Sequence, residues 1–206
     1  MHKRVPPDWY HRSIRENILQ RFWHQRRFSE VGKLIEQTGG KILDIGSADG
    51  TFSRVIFEKS GEAYVIGIDV LKMSVDWANR KWGKSKKMRF QVGDAHKLEF
   101  PPASFDAVFA LEVLEHVYDP EKVLKEIKRV LKKGGYAVLL VPSDSLLFRL
   151  IWFFWTKYRG SIWKDTHIQS FKNDFLIKLC KNAGFKIEVS RKFLIGMLHL
   201  VKLRKI

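Results

Sequence analysis

The sequence predicts a doubly wound α/β fold, and three observations support this prediction. Apolar segments of strand length alternate with segments of helical periodicity between residues 41 and 141. The strand segments are apolar on both faces, which is typical of a parallel sheet covered by helices on each side. Two late strands, separated by a break at Gly196, indicate a hairpin, so at least one strand is antiparallel to the rest.

The elements follow one another in a regular order. Residues 8–37 are predicted to be helical and basic, and Gly39-Gly40 ends this region. The alternation then predicts strand Lys41–Ile45, helix Thr51–Lys59, strand Tyr64–Asp69, helix Met73–Trp82, strand Met88–Gly93, strand Phe105–Ala110, helix Pro120–Lys132 and strand Tyr136–Val141, with Gly134-Gly135 breaking the last helix. An aromatic-rich, irregular stretch over residues 143–170 comes next. The chain is completed by helix Asn173–Asn182 and by two strands near Phe185–Phe193 and Met197–Leu203.

Composition and length predict one globular domain in a reducing compartment. The 206 residues are 45% hydrophobic and 29% charged, which provides for one sizeable core. The single cysteine, Cys180, excludes an intramolecular disulfide and a cysteine-based zinc cluster. We expect no signal peptide, since the N-terminus is polar and aromatic, and no membrane span, since Leu146–Trp155 is too short and contains Arg149. These features predict a cytoplasmic protein.

The formal net charge of +16 has two interpretations. It indicates either a polyanionic partner, such as RNA or an anionic membrane, or a generally basic surface without a partner. The basic clusters at residues 80–89 and 128–133 each join the end of a predicted helix to the start of a strand. In a parallel sheet these ends lie opposite the ligand site, where lysines complement the helix dipole. This placement disfavours a nucleic-acid substrate, although the arginines of the N-terminal helical region keep that alternative open.

The turn Gly46–Gly50 lies between the first strand and a helix, which is where open α/β sheets bind ligands. Glycines let the backbone turn sharply and let a ligand approach closely, and the free N–H groups at the helix start favour negative charge. At the end of the second strand, Asp69 can accept both hydroxyls of a ribose. After the third strand, Asp94 can meet an adenine amino group. The glycine turn alone is compatible with an ordinary strand–helix connection, whereas the three features together indicate a ligand site.

The segment Asp44-Ile-Gly46-Ser-Ala-Asp-Gly50 resembles the first motif of the class I S-adenosylmethionine-dependent methyltransferases, which reads acid-x-Gly-x-Gly-x-Gly. Ala48 stands where that motif has its middle glycine. Further segments that are similar to the family are Gly67-Ile-Asp69, Gly93-Asp94-Ala95, Phe109–His116, Lys132-Lys-Gly134-Gly135 and a later piece within residues 167–185. The resemblance implies a Rossmann-like sheet of seven strands, mostly parallel with an antiparallel last strand, and helices on both faces.

The resemblance also implies how the single domain, residues 1–206, is organised. Residues 1–39 would form an N-terminal helical cap and residues 40–142 the cofactor-binding core. Residues 143–170 would form an aromatic insertion, or lid, on the acceptor side. Residues 171–206 would add a helix and the terminal hairpin.

The cofactor that the resemblance implies is S-adenosylmethionine. The residues assigned to it in this way are Asp44, Gly46, Ser47, Ala48 and Gly50 at the first motif, Asp69 at the ribose with Val70 after it, Asp94 and Ala95 at the adenine, and Leu111 from the fourth strand. A dinucleotide is disfavoured, because its pyrophosphate needs a Gly-x-Gly-x-x-Gly turn and would be repelled by Asp44 and Asp49. Arg27 is in reach of the cofactor carboxylate, but a solvated surface arginine is the favoured interpretation.

Methyl transfer is a direct displacement that depends mainly on alignment of the acceptor and exclusion of water. A base is needed only when the acceptor must lose a proton. The candidates for that role are His116 and His167, whose alternative role is a helix cap or a structural hydrogen bond. Glu112 is interpreted as a cofactor-loop or structural group. We predict no metal ion at the site.

The acceptor side is predicted from the aromatic stretch Leu146–Trp155, together with Tyr158 and Trp163. The stretch is apolar nearly all round, so it is either buried as a lid or borders an apolar acceptor or a membrane surface. Stacking on an RNA base is a third interpretation. We favour a small or lipid-like acceptor, with a peripheral membrane contact as a further partner. The alternatives are an RNA or protein methyltransferase and a non-catalytic cofactor-binding module.

Two features that the sequence lacks narrow the classes of acceptor. The Asn/Asp-Pro-Pro-Tyr/Phe motif of enzymes that methylate amino groups of nucleic acids does not occur near Leu111. Cys180 lies in the late predicted helix and not beside the fourth or fifth strand, so it is not placed as a nucleophile.

Overall fold

The computed structural model describes residues 6–143, 145, 148, 150, 152–154, 157, 167–172 and 174–206. Two helices, α1 (Trp9–Glu16) and α2 (Ile18–Gly32), precede the sheet. The following elements are β1 (Lys41–Ile45), α3 (Thr51–Lys59), β2 (Tyr64–Asp69), α4 (Lys72–Trp82), β3 (Met88–Val92), β4 (Phe105–Leu111), a 3-10 turn (Leu114–His116), α5 (Pro120–Val130), β5 (Leu131–Pro142), α6 (Phe175–Asn182), β6 (Lys186–Phe193) and β7 (Leu198–Arg204).

The seven described strands form one sheet in the order β3-β2-β1-β4-β5-β7-β6. Strands β3, β2, β1, β4 and β5 are parallel, and β7 is antiparallel to both of its neighbours. This confirms the predicted sheet and its antiparallel last strand. The chain leaves β1 towards one edge of the sheet and leaves β4 towards the other. A crevice therefore opens between the carboxyl ends of these two strands, where α/β sheets bind ligands.

Two apolar clusters cover the two faces of the sheet. On one face, α5 and α6 pack on the side chains of Leu43 and Ile45. On the other face, α2, α3 and α4 pack on Ile42 and its neighbours. Successive residues of β1 thus point to opposite faces, and both faces are buried, which is why this strand is apolar throughout.

The N-terminal region departs from the prediction of one helical region over residues 8–37. The chain is extended at Asn17, whose side chain accepts hydrogen bonds from the N–H groups of Leu19 and Gln20. Asn17 therefore caps α2 and separates it from α1. The helix α2 ends at Gly32, and the Leu34 N–H then donates to the Val31 carbonyl in a turn.

The start of β5 also differs from the prediction. The helix was expected to reach Lys132 and the strand to begin at Tyr136, but β5 begins at Leu131, which pairs with Phe105. Gly134 and Gly135 belong to this strand, since their backbone groups hydrogen bond to Lys205 near the end of the chain. The register shifts between these two parts of the strand. The glycines therefore permit an irregularity within β5 rather than a loop before it.

Among the residues described, no helix has the length and apolarity to cross a membrane.

Candidate active site

A cavity of about 430 Å³ lies at the carboxyl ends of β1, β2 and β3. The residues of the sequence prediction that line it are Gly46, Ala48, Asp69, Val70, Asp94, Ala95 and His116. Residues from α1 and the segment before it, among them Pro6, Trp9 and Tyr10, form its outer wall. The first helix thus lies over the cavity. The sequence analysis expected a helical cap from this region but singled out none of these three residues, because no motif distinguishes them.

The turn after β1 is held open by three residues in the left-handed region of backbone conformation. Gly46 has a φ of 71°, Gly50 a φ of 73°, and Ala48 a φ of 45°. Ala48 therefore adopts a conformation that glycine takes without strain. Its N–H donates to Asp69 Oδ2 at 2.9 Å, and the Leu71 N–H donates to Asp69 Oδ1 at 2.8 Å. These bonds fix the Asp69 carboxylate at the end of β2, facing the turn.

Gly50, which was also predicted to bind the cofactor, lies where the turn packs against α4. It does not line the cavity described above. A Cβ atom at Gly50 would lie 2.7 Å from Trp82 Cδ1, so this glycine allows α4 to pack against the turn. Trp82 Nε1 donates to the Asp49 carbonyl at 2.9 Å in the same contact.

Substitutions at these two positions are expected to have opposite effects on stability. Ala48→Gly should raise the free energy of unfolding by about 0.5–1 kcal/mol, since relief of the left-handed strain exceeds the added entropy of the unfolded chain. Gly50→Ala should lower it by more than about 1 kcal/mol, because it adds both strain and a clash with Trp82. Chemical denaturation of the two variants measures both signs. A loss of stability in Ala48→Gly would contradict the strain assigned to this turn.

Two buried carboxyl groups give this end of the site its electrostatic character. Asp44 is 2% exposed and accepts a hydrogen bond from Ser53 Oγ at 2.5 Å. Burial raises the pKa of Asp44 to about 7. Asp49 is also buried, accepts hydrogen bonds from the N–H groups of His11 and Thr51, and has a pKa that burial raises. The pair favours a cationic ligand group over a phosphate.

Arg27 is buried, so the interpretation of a solvated surface arginine was wrong. It projects from α2 and is 2% exposed. One guanidinium nitrogen pairs with the Glu112 carboxylate and another donates to His24 Nδ1 at 3.0 Å. The guanidinium carbon lies 5.1 Å from the centre of the Phe52 ring. The burial follows from the packing of α2 across the end of β4, which local sequence does not reveal.

Burial shifts the pKa values of the two titratable groups that contact Arg27, His24 and Glu112. Burial, followed by the charge of Arg27, lowers the pKa of His24 to about 2, so its imidazole is neutral and Nδ1 accepts the hydrogen bond. Burial raises the pKa of Glu112, and the Arg27 charge opposes that rise. Glu112 has a φ of 58°, an uncommon backbone conformation for a residue of this type. A strained residue of this kind at a ligand site is typical of a functional constraint.

A small recess connects Arg27 to the first motif. It is lined by Arg27, Asp44, Gly46, Ser47, Ala48, Leu111 and neighbouring groups. In the part of the chain that the structure describes, the buried atoms Arg27 Nε, Ser47 Oγ and Thr51 Oγ1 have no hydrogen-bond partner. Buried polar atoms are normally satisfied, so these three are suited to a ligand with polar groups. Thr51 was not singled out in the sequence, although it begins the helix after the turn.

Asp94 and Ala95, the two residues predicted to bind the adenine, line the wall of the first cavity. Asp94 Oδ1 accepts a hydrogen bond from the His96 N–H at 2.8 Å and lies 2.7 Å from His96 Nδ1. The His96 ring stacks on Tyr118, with 3.8 Å between the ring centres. His96 thus orients the Asp94 carboxylate, a role that no motif in the sequence identifies.

A second cavity, of about 280 Å³, adjoins the first and is predominantly aromatic. We call it the aromatic cavity; its residues are Trp9, Tyr10, Leu19, Gln20, Trp23, His24, Arg27, Glu112, Glu115, His116, Pro142, Phe148, Trp152 and His167. Trp9, Tyr10, Glu112 and His116 line both cavities, so the two cavities adjoin at these side chains.

The aromatic cavity brings the two predicted histidines together. The ring centres of His116 and His167 are 5.0 Å apart. The His167 ring stacks on Trp152, with 4.4 Å between centres. Glu115, His116 and His167 each place one potential ligand atom within 4.8 Å of the others, a grouping compatible with a metal ion. The expectation of a site without metal therefore stays a prediction.

The described part of the aromatic stretch is helical and lies beside this cavity. Phe148 is buried, whereas Leu150, Phe153 and Phe154 are at least half exposed. The stretch therefore has a buried and an exposed face, unlike the fully buried lid that one interpretation required. Leu146, Leu147, Arg149, Ile151, Trp155, Tyr158 and Trp163 of that prediction lie outside the described residues, as does Asn173 of the late helix.

Comparison with known proteins gives one family and several relatives. The family model described as a methyltransferase domain matches residues 43–139. A sterol 24-C-methyltransferase of Gibberella zeae is 42% identical over 160 residues, which cover 72% of this chain and 40% of the relative. A demethylmenaquinone methyltransferase of Deinococcus radiodurans is 32% identical over 133 residues, which cover 63% of this chain and 54% of the relative. The chain thus spans about half the length of these curated relatives or less.

A solved structure extends the likeness to the whole fold. The PH0226 protein of Pyrococcus horikoshii has a TM-score of 0.75 and 22% sequence identity, over 98% of this chain and 97% of the other. At this level of identity the likeness concerns the fold, and it includes the N-terminal helices and the terminal hairpin.

Proposed function

The chain belongs to the class I S-adenosylmethionine-dependent methyltransferase family, and we propose that it transfers a methyl group from S-adenosylmethionine to a small or lipid-like acceptor. The observation that carries this proposal is that the two cavities adjoin and share four lining side chains. One is built from the first-motif turn, Asp69 and Asp94, and the other is largely aromatic. A donor and an apolar acceptor can therefore occupy adjoining spaces that share the side chains of Tyr10 and His116.

The first cavity and its recess fit S-adenosylmethionine. In the recess, Arg27 Nε and Ser47 Oγ can bind the carboxylate of its amino-acid end, while Asp44 faces the ammonium group. Asp69 accepts two backbone hydrogen bonds and, with two lone pairs on each oxygen, can still accept the ribose hydroxyls.

The remaining cofactor contacts follow the outline of the first cavity. We assign Asp94 and Ala95 to the adenine, and Val70 to the cofactor next to Asp69, because all three residues line this cavity. Gly46 and Ala48 border the amino-acid end, and Leu111 flanks it from β4. Gly50 supports this site through packing of the turn.

When bound, S-adenosylmethionine supplies a methyl group on a cationic sulfonium, which is activated for direct displacement. The residues of the chain then have to align the acceptor and exclude water. Trp9 and Tyr10 of α1 close the outer side of both cavities, which supports exclusion of water. We assign His116 and His167 the role of accepting a proton from an acceptor that must lose one, since both imidazoles line the aromatic cavity.

The aromatic lining supports an apolar, ring-containing acceptor. Four tryptophan and phenylalanine side chains, Trp9, Trp23, Phe148 and Trp152, contribute to the wall. Flat apolar rings pack well between such side chains. The names of two relatives, which act on a sterol and on demethylmenaquinone, are consistent with an acceptor of this kind.

The proposed activity is tested with methyl-labelled S-adenosylmethionine. The protein is incubated with a cell extract, and the label is counted in organic-soluble, small aqueous, RNA and protein fractions. We expect label in the organic fraction, and clearly less of it at limiting S-adenosylmethionine with an Asp69→Ala variant as control. Label in RNA or protein would contradict the proposed acceptor class, and absence of transfer in every fraction would favour a non-catalytic cofactor-binding module.

The affinity for the cofactor's amino-acid end should rise with pH. Burial raises the pKa of Asp44 to about 7 from an ordinary value of 3.8. Protonated Asp44 contributes fully to the stability of the free protein below pH 3.8, the pKa of this group in the unfolded chain. This contribution is lost as the pH rises through 7. The ligand ammonium group binds the ionised form, so the thermal stabilisation by S-adenosylhomocysteine should be larger near pH 8 than near pH 6. In Asp44→Asn this difference should disappear, and its persistence there would contradict the assignment.

A further inference from the structure

Large apolar side chains are exposed on the two helical segments that contribute Leu19 and Trp152 to the lining of the aromatic cavity. They come from the first turns of α2 and from the helical stretch that contains Trp152. We call them the apolar rim; its members are Ile18, Leu19, Phe22, Leu150, Phe153 and Phe154, whose exposed fractions range from 50% to 78%. A set of this size, exposed beside one opening, is unusual for a surface that faces only water.

Contacts with the cavity place the two parts of the rim on the same side of the molecule. Leu19 of α2 and Trp152 of the other helix both line the aromatic cavity. Phe153 and Phe154 follow Trp152 directly, and their ring centres are 5.5 Å apart. Residues three or four apart share a helix face, so Leu150 lies on the face of these two phenylalanines.

The same spacing rule orders the exposed face of α2. Ile18, Phe22 and Arg26 are four residues apart and form one row along the helix. The exposed residues of α2 include Arg21 and Arg26 and no carboxylate, since Glu30 is buried. The exposed side of α2 therefore combines apolar side chains, which can enter the acyl boundary of a membrane, with arginines, which can contact anionic headgroups.

Further basic groups border the rim. Arg15 is exposed in the last turn of α1, next to the start of α2, and Lys157 is exposed one turn beyond Phe153. The neighbouring Glu16 lies 4.0 Å from Arg12, which offsets its charge. With a net charge of +16 on the whole chain, this side of the molecule is complementary to a negatively charged surface.

We propose that the apolar rim docks the protein on a membrane surface that carries anionic lipid headgroups, so that an apolar acceptor enters the aromatic cavity directly from the bilayer. This inference rests on the proposed function for the identity of what enters, although the docking itself does not require it. The rim side chains lie in the acyl boundary and the arginines contact the headgroups. The opening of the cavity then faces the lipid.

The test is sedimentation of the full chain with unilamellar vesicles, without cofactor or acceptor. Vesicles of phosphatidylcholine with about one third phosphatidylglycerol are compared with phosphatidylcholine alone, at low and high salt. We expect binding to the anionic vesicles, weakened by salt. The double variant Ile18→Asp/Phe154→Asp should bind at least about tenfold more weakly, since it places charges in the acyl boundary.

A matched control makes the same change in charge at the opposite end of the strands. Tyr64 begins β2 and Ile206 follows β7, both at the amino ends of the parallel strands, and both are at least half exposed. Tyr64→Asp/Ile206→Asp should bind vesicles like the unchanged protein. Equal weakening in this control would overturn the proposal, because it would reflect overall charge alone.

Calorimetric titration and the oligomeric state distinguish failure of the docking proposal from failure of the proposed function. Calorimetric titration with S-adenosylhomocysteine should give the same affinity for both double variants, so loss of vesicle binding is independent of the cofactor site. If the protein binds S-adenosylhomocysteine but no vesicles, the docking proposal is overturned and the methyltransferase proposal stands. If the unchanged protein dimerises and the rim variant does not, without vesicle binding, a second copy of the chain covers the rim and the membrane proposal is wrong.

Discussion

Replacement of Arg27 by methionine is expected to lower the free energy of unfolding by about 3–5 kcal/mol at neutral pH. Arg27 is 2% exposed and pairs with the Glu112 carboxylate, which has an exposed fraction of 17%. Methionine removes the guanidinium and leaves this carboxylate with little compensation in an apolar environment. Because burial already raises the pKa of Glu112, the loss should become smaller as pH falls and the carboxyl is protonated.

The measurement is chemical denaturation at neutral and at acidic pH. A second substitution in the same background, Glu112→Gln, removes the orphaned charge and should restore a large part of the stability. Affinity for S-adenosylhomocysteine should stay low in both variants, since Arg27 Nε is absent from each. Recovery of stability together with cofactor affinity would contradict the proposed contact between Arg27 and the cofactor carboxylate. A stability loss below about 1 kcal/mol would contradict the importance assigned to the ion pair.

Arg27 also illustrates what the sequence does not reveal. The arginine is one of several in a basic helical region, and its partner Glu112 is 85 positions away in the chain. Burial of an arginine depends on such tertiary partners, which local periodicity does not encode. The same holds for His24 and for Tyr10, which acquire their roles only when α1 and α2 pack over the cavity.

The elements around the first motif could be predicted closely. The strand Lys41–Ile45, the helix Thr51–Lys59 and the strand Tyr64–Asp69 have the predicted bounds. Here hydrophobic period, glycine turn and helix start agree with one another, so local and tertiary preferences coincide. The turn residues and the acids at the strand ends therefore converge on one cavity, as the order of the strands requires.

The prediction was weaker where a polar contact or a distant strand decides the bounds. Asn17 divides the N-terminal helical region by capping α2, although the surrounding residues would tolerate a continuous helix. The early part of β5 is extended because Leu131 pairs with Phe105 and the diglycine pairs with the end of the chain. These partners are remote in sequence, which is why the helix before β5 was predicted too long.

Substitution of Asp69 by alanine is expected to weaken the binding of S-adenosylmethionine about ten- to a hundredfold. The substitution would remove the hydrogen bonds that the Asp69 carboxylate accepts from the ribose hydroxyls. Hydrogen bonds to a charged group contribute about 1.5–3 kcal/mol each. It would also release the N–H groups of Ala48 and Leu71, which loosens the turn at the other end of the cofactor. The expected loss therefore combines a direct contact with reduced order of the turn.

Calorimetric titration measures this loss, and Asp76→Ala provides the matched control. Asp76 lies on the exposed side of α4, where it pairs with Lys72, and its removal changes the net charge by the same amount. The affinity of the Asp76→Ala variant for the cofactor should stay within about twofold of that of the unchanged protein. Asp69→Asn should fall between the two, because its amide oxygen still accepts one hydrogen bond from the turn. An unchanged affinity in Asp69→Ala would overturn the ribose assignment and, with it, the placement of the cofactor along the ends of β1, β2 and β3.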